Sequence, residues 1–232
     1  MRKETPVPRQ SSLVPVLLVL TATTGIVDAV SYLGMGHVLV ANMTGNVVFL
    51  GFALAGAAGF SIASFLVAIA SFLVGALLGG RLGATLGDNR RRWLVVAAVT
   101  QTALATIAAV MTAAGVLNTA GNERLGVIAL LGVGMGVQNA TVRRLAVPDM
   151  TTTVLTMTLT GLAADSTAAG GSNPRPRRRL ASVAAMLAGG VAGAALMLHS
   201  SAAVSIGVFA VILAVAAAAL ALTPAQPDNP AA

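Results

Sequence analysis

Apolar runs of roughly 20 residues recur along this chain, separated by short turns that carry most of its arginines. A run of that length, coiled at about 1.5 Å per residue, matches the ~30 Å hydrocarbon layer of a bilayer. No other feature constrains the fold so tightly. Inside hydrocarbon every backbone amide and carbonyl must find its partner within the protein, which leaves helices and closed barrels. Composition agrees, because hydrophobic residues make up 56% of the 232 positions and charged residues only 9%. Soluble domains carry about a quarter charged residues to face water. The sequence therefore predicts an all-α polytopic membrane protein, with the lipid bilayer as its first partner.

Eight apolar segments can be laid out: about Leu13 to Leu33, Val38 to Ala57, Phe60 to Leu82, Trp93 to Val116, Leu125 to Ala140, Met150 to Ala164, Leu180 to Leu198 and Ala202 to Leu222. Arg2, Lys3 and Arg9 before the first run give it a superficial likeness to a signal peptide. No clear small-residue cleavage site follows, so it is read as an uncleaved span. Residues 1–12 are expected to be cytoplasmic, and 223–232, which hold several prolines, to be disordered.

The second and sixth segments stand apart. About 15 residues of helix from Met150 cover only ~22 Å, too little to cross. Each is preceded by residues that read as extended, His37 to Ala41 and Leu145 to Pro148, and each opens on an N-cap type, Asn42 or Asp149. If all eight segments crossed from a cytoplasmic N-terminus, Arg81, Arg90, Arg91, Arg92, Arg143 and Arg144 would face outside, against the positive-inside rule. If segments two and six instead re-enter, every Lys and Arg except Arg124 lies inside. The predicted build is thus six transmembrane helices plus two re-entrant half-helices, with both termini cytoplasmic; eight spanning segments is the alternative.

A net charge of +7 raises the question of nucleic acid. The basic residues sit in clusters between apolar segments, with almost no aromatic side chains to stack on bases, so no nucleic-acid partner is expected. Arg175, Arg177, Arg178 and Arg179 are read as a topology signal that also touches anionic lipid. There is no cysteine, and His37 and His199 lie far apart, so no metal or other cofactor is expected. No nucleophile-elbow or zinc-hydrolase motif occurs, and an enzyme is not the expected reading.

The halves 13–116 and 117–222 read as repeats. Gly25-Ile26-Val27-Asp28-Ala29 matches Gly136-Val137-Gln138-Asn139-Ala140, which sets Asp28 opposite Asn139. Asn42-Met43-Thr44-Gly45-Asn46-Val47-Val48 matches Asp149-Met150-Thr151-Thr152-Thr153-Val154-Leu155, and Gly75-xxx-Gly79 matches Gly189-xxx-Gly193. With six spans, the first segment runs outward and the fifth inward, making the repeats inverted. Inverted repeats with broken helices near the midplane are the build of many transporters.

These residues carry a family resemblance. Thr24 to Leu33, followed by Ala41-Asn42-Met43-Thr44-Gly45-Asn46, resembles the YoaK family, also called DUF1275, as do Gln138-Asn139-Ala140 and Thr151 to Thr156. The likeness runs from about Leu13 to Leu222. It implies a bacterial inner-membrane protein and supplies no activity or substrate.

Asp28 is the sharpest candidate for function. A carboxylate near mid-span costs about 2.5–3.5 kcal/mol on insertion scales, so it faces a cavity or a partner. It is read as a proton- or cation-coupling site, against a structural hydrogen bond to Tyr32 or a neighbouring helix. The two half-helix starts, with Asn42, Thr44, Gly45 and Asn46 in one and Asp149, Thr151, Thr152 and Thr153 in the other, offer amides, hydroxyls and positive dipole ends to a solute. Gln138 and Asn139 are expected to line the same cavity. Arg143 is set either against a solute or Asp149, or at the cytoplasmic boundary as an anchor. Gly75, Gly79, Gly189 and Gly193 are expected to pack helices closely, with a homodimer also open to such smooth faces. The expectation is a transporter for a small solute, proton-coupled through Asp28; a passive channel, a non-transporting scaffold and a lipid-acting intramembrane enzyme are the alternatives.

Overall fold

The computed structural model describes residues 14–87, 89–145, 155–172 and 174–222. Its elements are α1 (Val14–Gly34), α2 (Met43–Leu54), α3 (Ile62–Leu86), α4 (Arg90–Ala113), α5 (Arg124–Leu145), α6 (Leu155–Ala164), a 3-10 turn (Thr167–Ala169), α7 (Pro176–His199) and α8 (Ala202–Leu222). Six of these are long and apolar enough to cross a membrane. α2 and α6, of 12 and 10 residues, rise only ~18 and ~15 Å and do not. The start of α4 is capped locally, with Asn89 Oδ1 accepting from the Arg92 N–H at 2.9 Å.

Helix direction decides between six and eight crossings. Leu17 near the start of α1 packs with Val142 and Leu145 near the end of α5. One turn further along α1, Leu20 and Thr24 meet Gln138. The two helices therefore run antiparallel. With α1, α3, α4 and α5 alternating in direction, α5 opposes α1 only if α2 does not cross. A spanning α2 would have made them parallel, so the eight-span alternative fails.

Neighbours at the helix ends agree. Gly36, just past α1, lies against the Arg124 side chain at the start of α5, and His37 Nδ1 is 3.4 Å from Gly59 O in the α2–α3 link. The end of α1, both ends of the α2 excursion and the start of α5 thus share one side of the bundle. The starts of α1, α4 and α7 and the ends of α3, α5 and α8 share the other. That second side carries Arg81, Arg92, Arg143, Arg144 and Arg175 to Arg179, and is called here the arginine end. α5 continues to Leu145, past the expected end near Ala140; the rest of the stretch read from sequence as extended, 146–148, lies outside the described residues. Arg143 and Arg144 in its last turn favour the helix there by complementing its dipole.

The two halves interlock, because the most extensive packing lies between them: α1 on α7, and α3 on α5. In α1, Gly25 abuts the backbone of Met186, Gly189 and Gly190; in α5, Gly136 abuts that of Phe72, Gly75 and Ala76. Gly189 meets Ala22 and Gly193 meets Ile26, while Gly75 meets Val133 and Gly79 meets Val137. Each contact has its counterpart in the same order. A side chain at any of these glycines would enter a neighbouring backbone, so close approach of the helices requires them. The register sets Ile26 with Val137 and hence Asp28 with Asn139, as the sequence repeats suggested. The architecture is an inverted duplication.

The repeats differ in how they hold their half-helices. At the end opposite the arginines, Tyr32, His37, Phe49, Phe52, Phe60 and Phe65 form one ring cluster, with neighbouring centroids 5.0 to 6.1 Å apart. Such pairs contribute about 0.5–1.5 kcal/mol each beyond burial, and they clamp α2 to α3. In the register of the glycines, Arg179 on α7 stands where α3 has Phe65. It binds α6 by an ion pair to Asp165 at 2.8 Å and a hydrogen bond to Gly161 O at 2.7 Å.

Candidate functional site

α1 carries a buried polar stripe: Thr21, Thr24, Asp28 and Ser31, spaced three and four residues apart and so on one helix face. Their burial in a membrane helix demands partners. Thr21 and Thr24 satisfy themselves by donating to the carbonyls of Leu17 and Leu20, both at 2.8 Å. Asp28 and Ser31 turn to the chain that follows α1.

After Gly36 and His37, both with positive φ, the backbone doubles back along α1 into the membrane as a non-helical stretch from Val38 to Ala41, bent at Val40 and Ala41. Non-helical chain at this depth leaves its N–H groups without a helical partner, and unpaired each would cost about 1–3 kcal/mol. Three side chains take them up. The Leu39 N–H donates to Asn46 Oδ1 at 2.9 Å, the Val40 N–H to Ser31 Oγ at 3.4 Å and the Ala41 N–H to Asp28 Oδ1 at 2.8 Å. Asn46 Nδ2 also donates to Leu39 O. The chain then turns into α2 and climbs back to the side from which it came.

Asp28 is thus the floor of the re-entrant loop. It is 6% exposed, and among the described residues its carboxylate accepts a single hydrogen bond, on Oδ1. Tyr32, offered from sequence as its partner, belongs instead to the ring cluster, against His37 and Phe49. Asn42 occupies the N-cap position of α2 but makes no side-chain capping bond; its φ of −114° and ψ of 86° depart from the extended geometry typical of such caps. Thr44 is exposed, Gly45 half-buried against Leu39, and Asn46 fully buried.

One turn down α1, at the level where it crosses α5, Gln138 Nε2 donates to Thr24 Oγ1 at 3.1 Å and Gln138 Oε1 accepts from Gln101 Nε2 at 2.7 Å. Gln101, on α4, carried no distinction in the sequence reading. A lone glutamine midway along an apolar span was the signal available for it. These glutamines close the inner end of a cavity between α1, α4, α5 and α8, lined also by Leu17, Leu20, Ala97 and Leu213. It extends toward the arginine end, where Leu145 and Leu220 line it. Its volume is about 40 Å³, against ~10–15 Å³ for one water on this kind of measure.

The remaining candidates fall elsewhere. Asn139, counterpart of Asp28, donates from Nδ2 to Met135 O at 2.9 Å within its own helix. Arg143 is exposed at the arginine end. Asp149, Thr151, Thr152 and Thr153 lie outside the described residues. The expected convergence of the two half-helices is not found among the described elements: α2 packs on α3 and α6 on α7, with no contact between them. The interlock explains this, since it sets α3 and α7 on opposite flanks of the α1–α5 pair.

Inverted repeats, six crossings and a re-entrant loop floored by a buried carboxylate define a multi-pass helical membrane protein of the broken-helix type. The chain belongs to the family described as "Protein of unknown function (DUF1275)", whose model matches residues 16–219. It is 32% identical over 151 residues to the UPF0700 transmembrane protein YoaK of Bacillus subtilis (strain 168). That match covers 64% of this chain and 65% of the relative. No solved structure matches significantly.

Proposed function

We propose that this protein carries a small solute across the cytoplasmic membrane, with Asp28 as the group that exchanges a proton or cation during the cycle. The observation that supports this most is the state of Asp28. A carboxylate buried near the crossing of the two central helices accepts one backbone hydrogen bond, which leaves oxygen lone pairs for a proton or for a donor on a solute. It lies in an unbroken stretch of α1 but faces the non-helical backbone at Ala41, and inverted-repeat carriers bind their cargo beside such breaks. On the side of α1 toward the arginine end, a cavity reaches inward as far as Leu20 and Gln138. By the positive-inside rule that end faces the cytoplasm, with both termini.

Uptake into proteoliposomes tests the reading. A panel of labelled organic anions, zwitterions, sugars and short alcohols is presented under an imposed proton gradient, with and without an uncoupler. Saturable, gradient-dependent uptake of at least one class, lost in Asp28→Asn, is the expected result. Uptake indifferent to the uncoupler and to Asp28→Asn would favour a channel, and no uptake of any class would favour a scaffold.

A further inference from the structure

The cavity between α1, α4, α5 and α8 has a chemistry narrower than that of a general solute route. Gln101, Gln138 and Thr141 are its polar lining; every other lining residue is aliphatic or alanine, and none is charged. A charged ligand would lose its water there without a counter-charge. The polar groups are also mostly engaged with one another. Gln138 bonds through both its atoms to Gln101 and Thr24, and Thr141 Oγ1 donates to Val137 O at 2.8 Å. Gln101 uses Nε2 toward Gln138 Oε1 and Met135 Sδ, while its Oε1 takes no hydrogen bond among the described residues. Water needs two to four polar partners, and an apolar cavity that offers about one stays dry.

The other repeat fills the corresponding space with larger side chains. The buried stripe of α4 runs Trp93, Ala97, Gln101, Ala105, and that of α8 runs Ser205, Phe209, Leu213, Ala217. Read in register, Phe209 fills on one side the volume that Ala97 leaves open on the other, and Leu213 replaces Gln101. In the glycine register Val27 likewise replaces Gln138. Among the described residues, the amide-bearing version lies toward the arginine end.

We propose that this cavity is a binding site for a small uncharged molecule with an apolar body and a hydrogen-bond donor, a short-chain alcohol being the simplest case, whose donor reaches Gln101 Oε1. As the substrate class of the route past Asp28 the assignment rests on the transport reading; as a binding site it is tested without transport. The chain has one tryptophan, Trp93, and it packs with Leu17, Val142 and Leu145, all of which line the cavity. A bromine atom bound there quenches its fluorescence.

Purified full-length protein is titrated with bromopropanol, bromopropane and bromopropionate. The expected result is saturable quenching by bromopropanol, with an affinity about tenfold above that for bromopropane, the size of effect when a buried acceptor gains or lacks its donor. Bromopropionate should give only linear, collisional quenching. Ala97→Phe should abolish the saturable component, and Ala216→Leu, which narrows the same space from α8, gives a second filling variant should the first fail to fold. Gln101→Leu should reduce bromopropanol to the level of bromopropane. Linear quenching equal for the alcohol and the alkyl bromide, or saturable quenching that survives both filling variants, overturns the site. Either outcome would leave the gradient-dependent uptake assay on Asp28 untouched, so the two readings fail separately.

Discussion

The side chain of Asp28 accepts the backbone N–H of Ala41 at 2.8 Å, so a residue in the middle of the first span holds the floor of a loop that follows that span. This contact ties the break in the helix pattern to the buried carboxyl group of Asp28.

Replacing Asp28 separates its two roles. Asn keeps an oxygen acceptor for the Ala41 N–H, so Asp28→Asn should unfold within a few degrees of the wild type in detergent. Asp28→Leu leaves that N–H unpaired in the interior and should destabilise by about 1–3 kcal/mol. Thermal unfolding of the purified variants reads both.

Asn46 holds Leu39 from both sides, accepting from its N–H and donating to its carbonyl. Asn46→Leu should free the non-helical stretch. Because the chain has no cysteine, a single Leu39→Cys can report it, and maleimide labelling of that site should accelerate severalfold when Asn46 is replaced. An unchanged labelling rate would show that the loop is held by other contacts.

Adjacent glycines should behave oppositely. A methyl group at Gly79 would press on the Val137 backbone and Ala140, whereas one at Gly80 meets nothing within 4 Å. Gly79→Ala should destabilise by about 1–3 kcal/mol through overpacking. Gly80→Ala should be neutral or stabilise by up to about 1 kcal/mol, since Ala restricts the unfolded chain. The same contrast is expected for Gly189, against Ala22, and Gly190.

The Gln101–Gln138 pair predicts a non-additive cycle. Gln101→Leu alone leaves Gln138 Oε1 without its donor. Gln101→Leu with Gln138→Val installs the apolar pair that the other repeat uses, and replacing both partners is far less costly than replacing one. The double variant should therefore be more stable than Gln101→Leu. Denaturant or thermal titration of the four proteins measures the coupling.

Much of this architecture was legible in the sequence because bilayer thickness converts residue counts into crossings and arginine placement into sidedness. The short runs after Asn42 and Asp149 followed from those rules, and the equivalence of Asp28 with Asn139 from the matched segments of the two halves. Partner choice did not. Tyr32, one turn on, or a neighbouring helix were the structural partners the sequence offered Asp28, but local spacing says nothing of a backbone that returns thirteen positions later to pass the same face. Asn42 is a cap by residue type, yet its side chain makes no capping bond, whereas Asn89 with similar backbone angles does. Gln101 was passed over because its meaning depends on which helix α4 lies against, and its partner Gln138 is on another. The convergence of the half-helices was expected from their duplication alone; the interlock of α1 with α7 and α3 with α5 separates them among the described elements.

The re-entrant loop is the claim on which the rest stands, and cysteine labelling tests it most directly. His37→Cys and Ala57→Cys flank the loop, Asn122→Cys lies between α4 and α5, and Asn89→Cys lies at the arginine end. In intact cells an impermeant maleimide should label the first three and reach Asn89→Cys only after permeabilisation. Labelling of His37→Cys and Ala57→Cys from opposite faces of the membrane would mean that α2 crosses, and would contradict both the inverted repeat and the role given to Asp28.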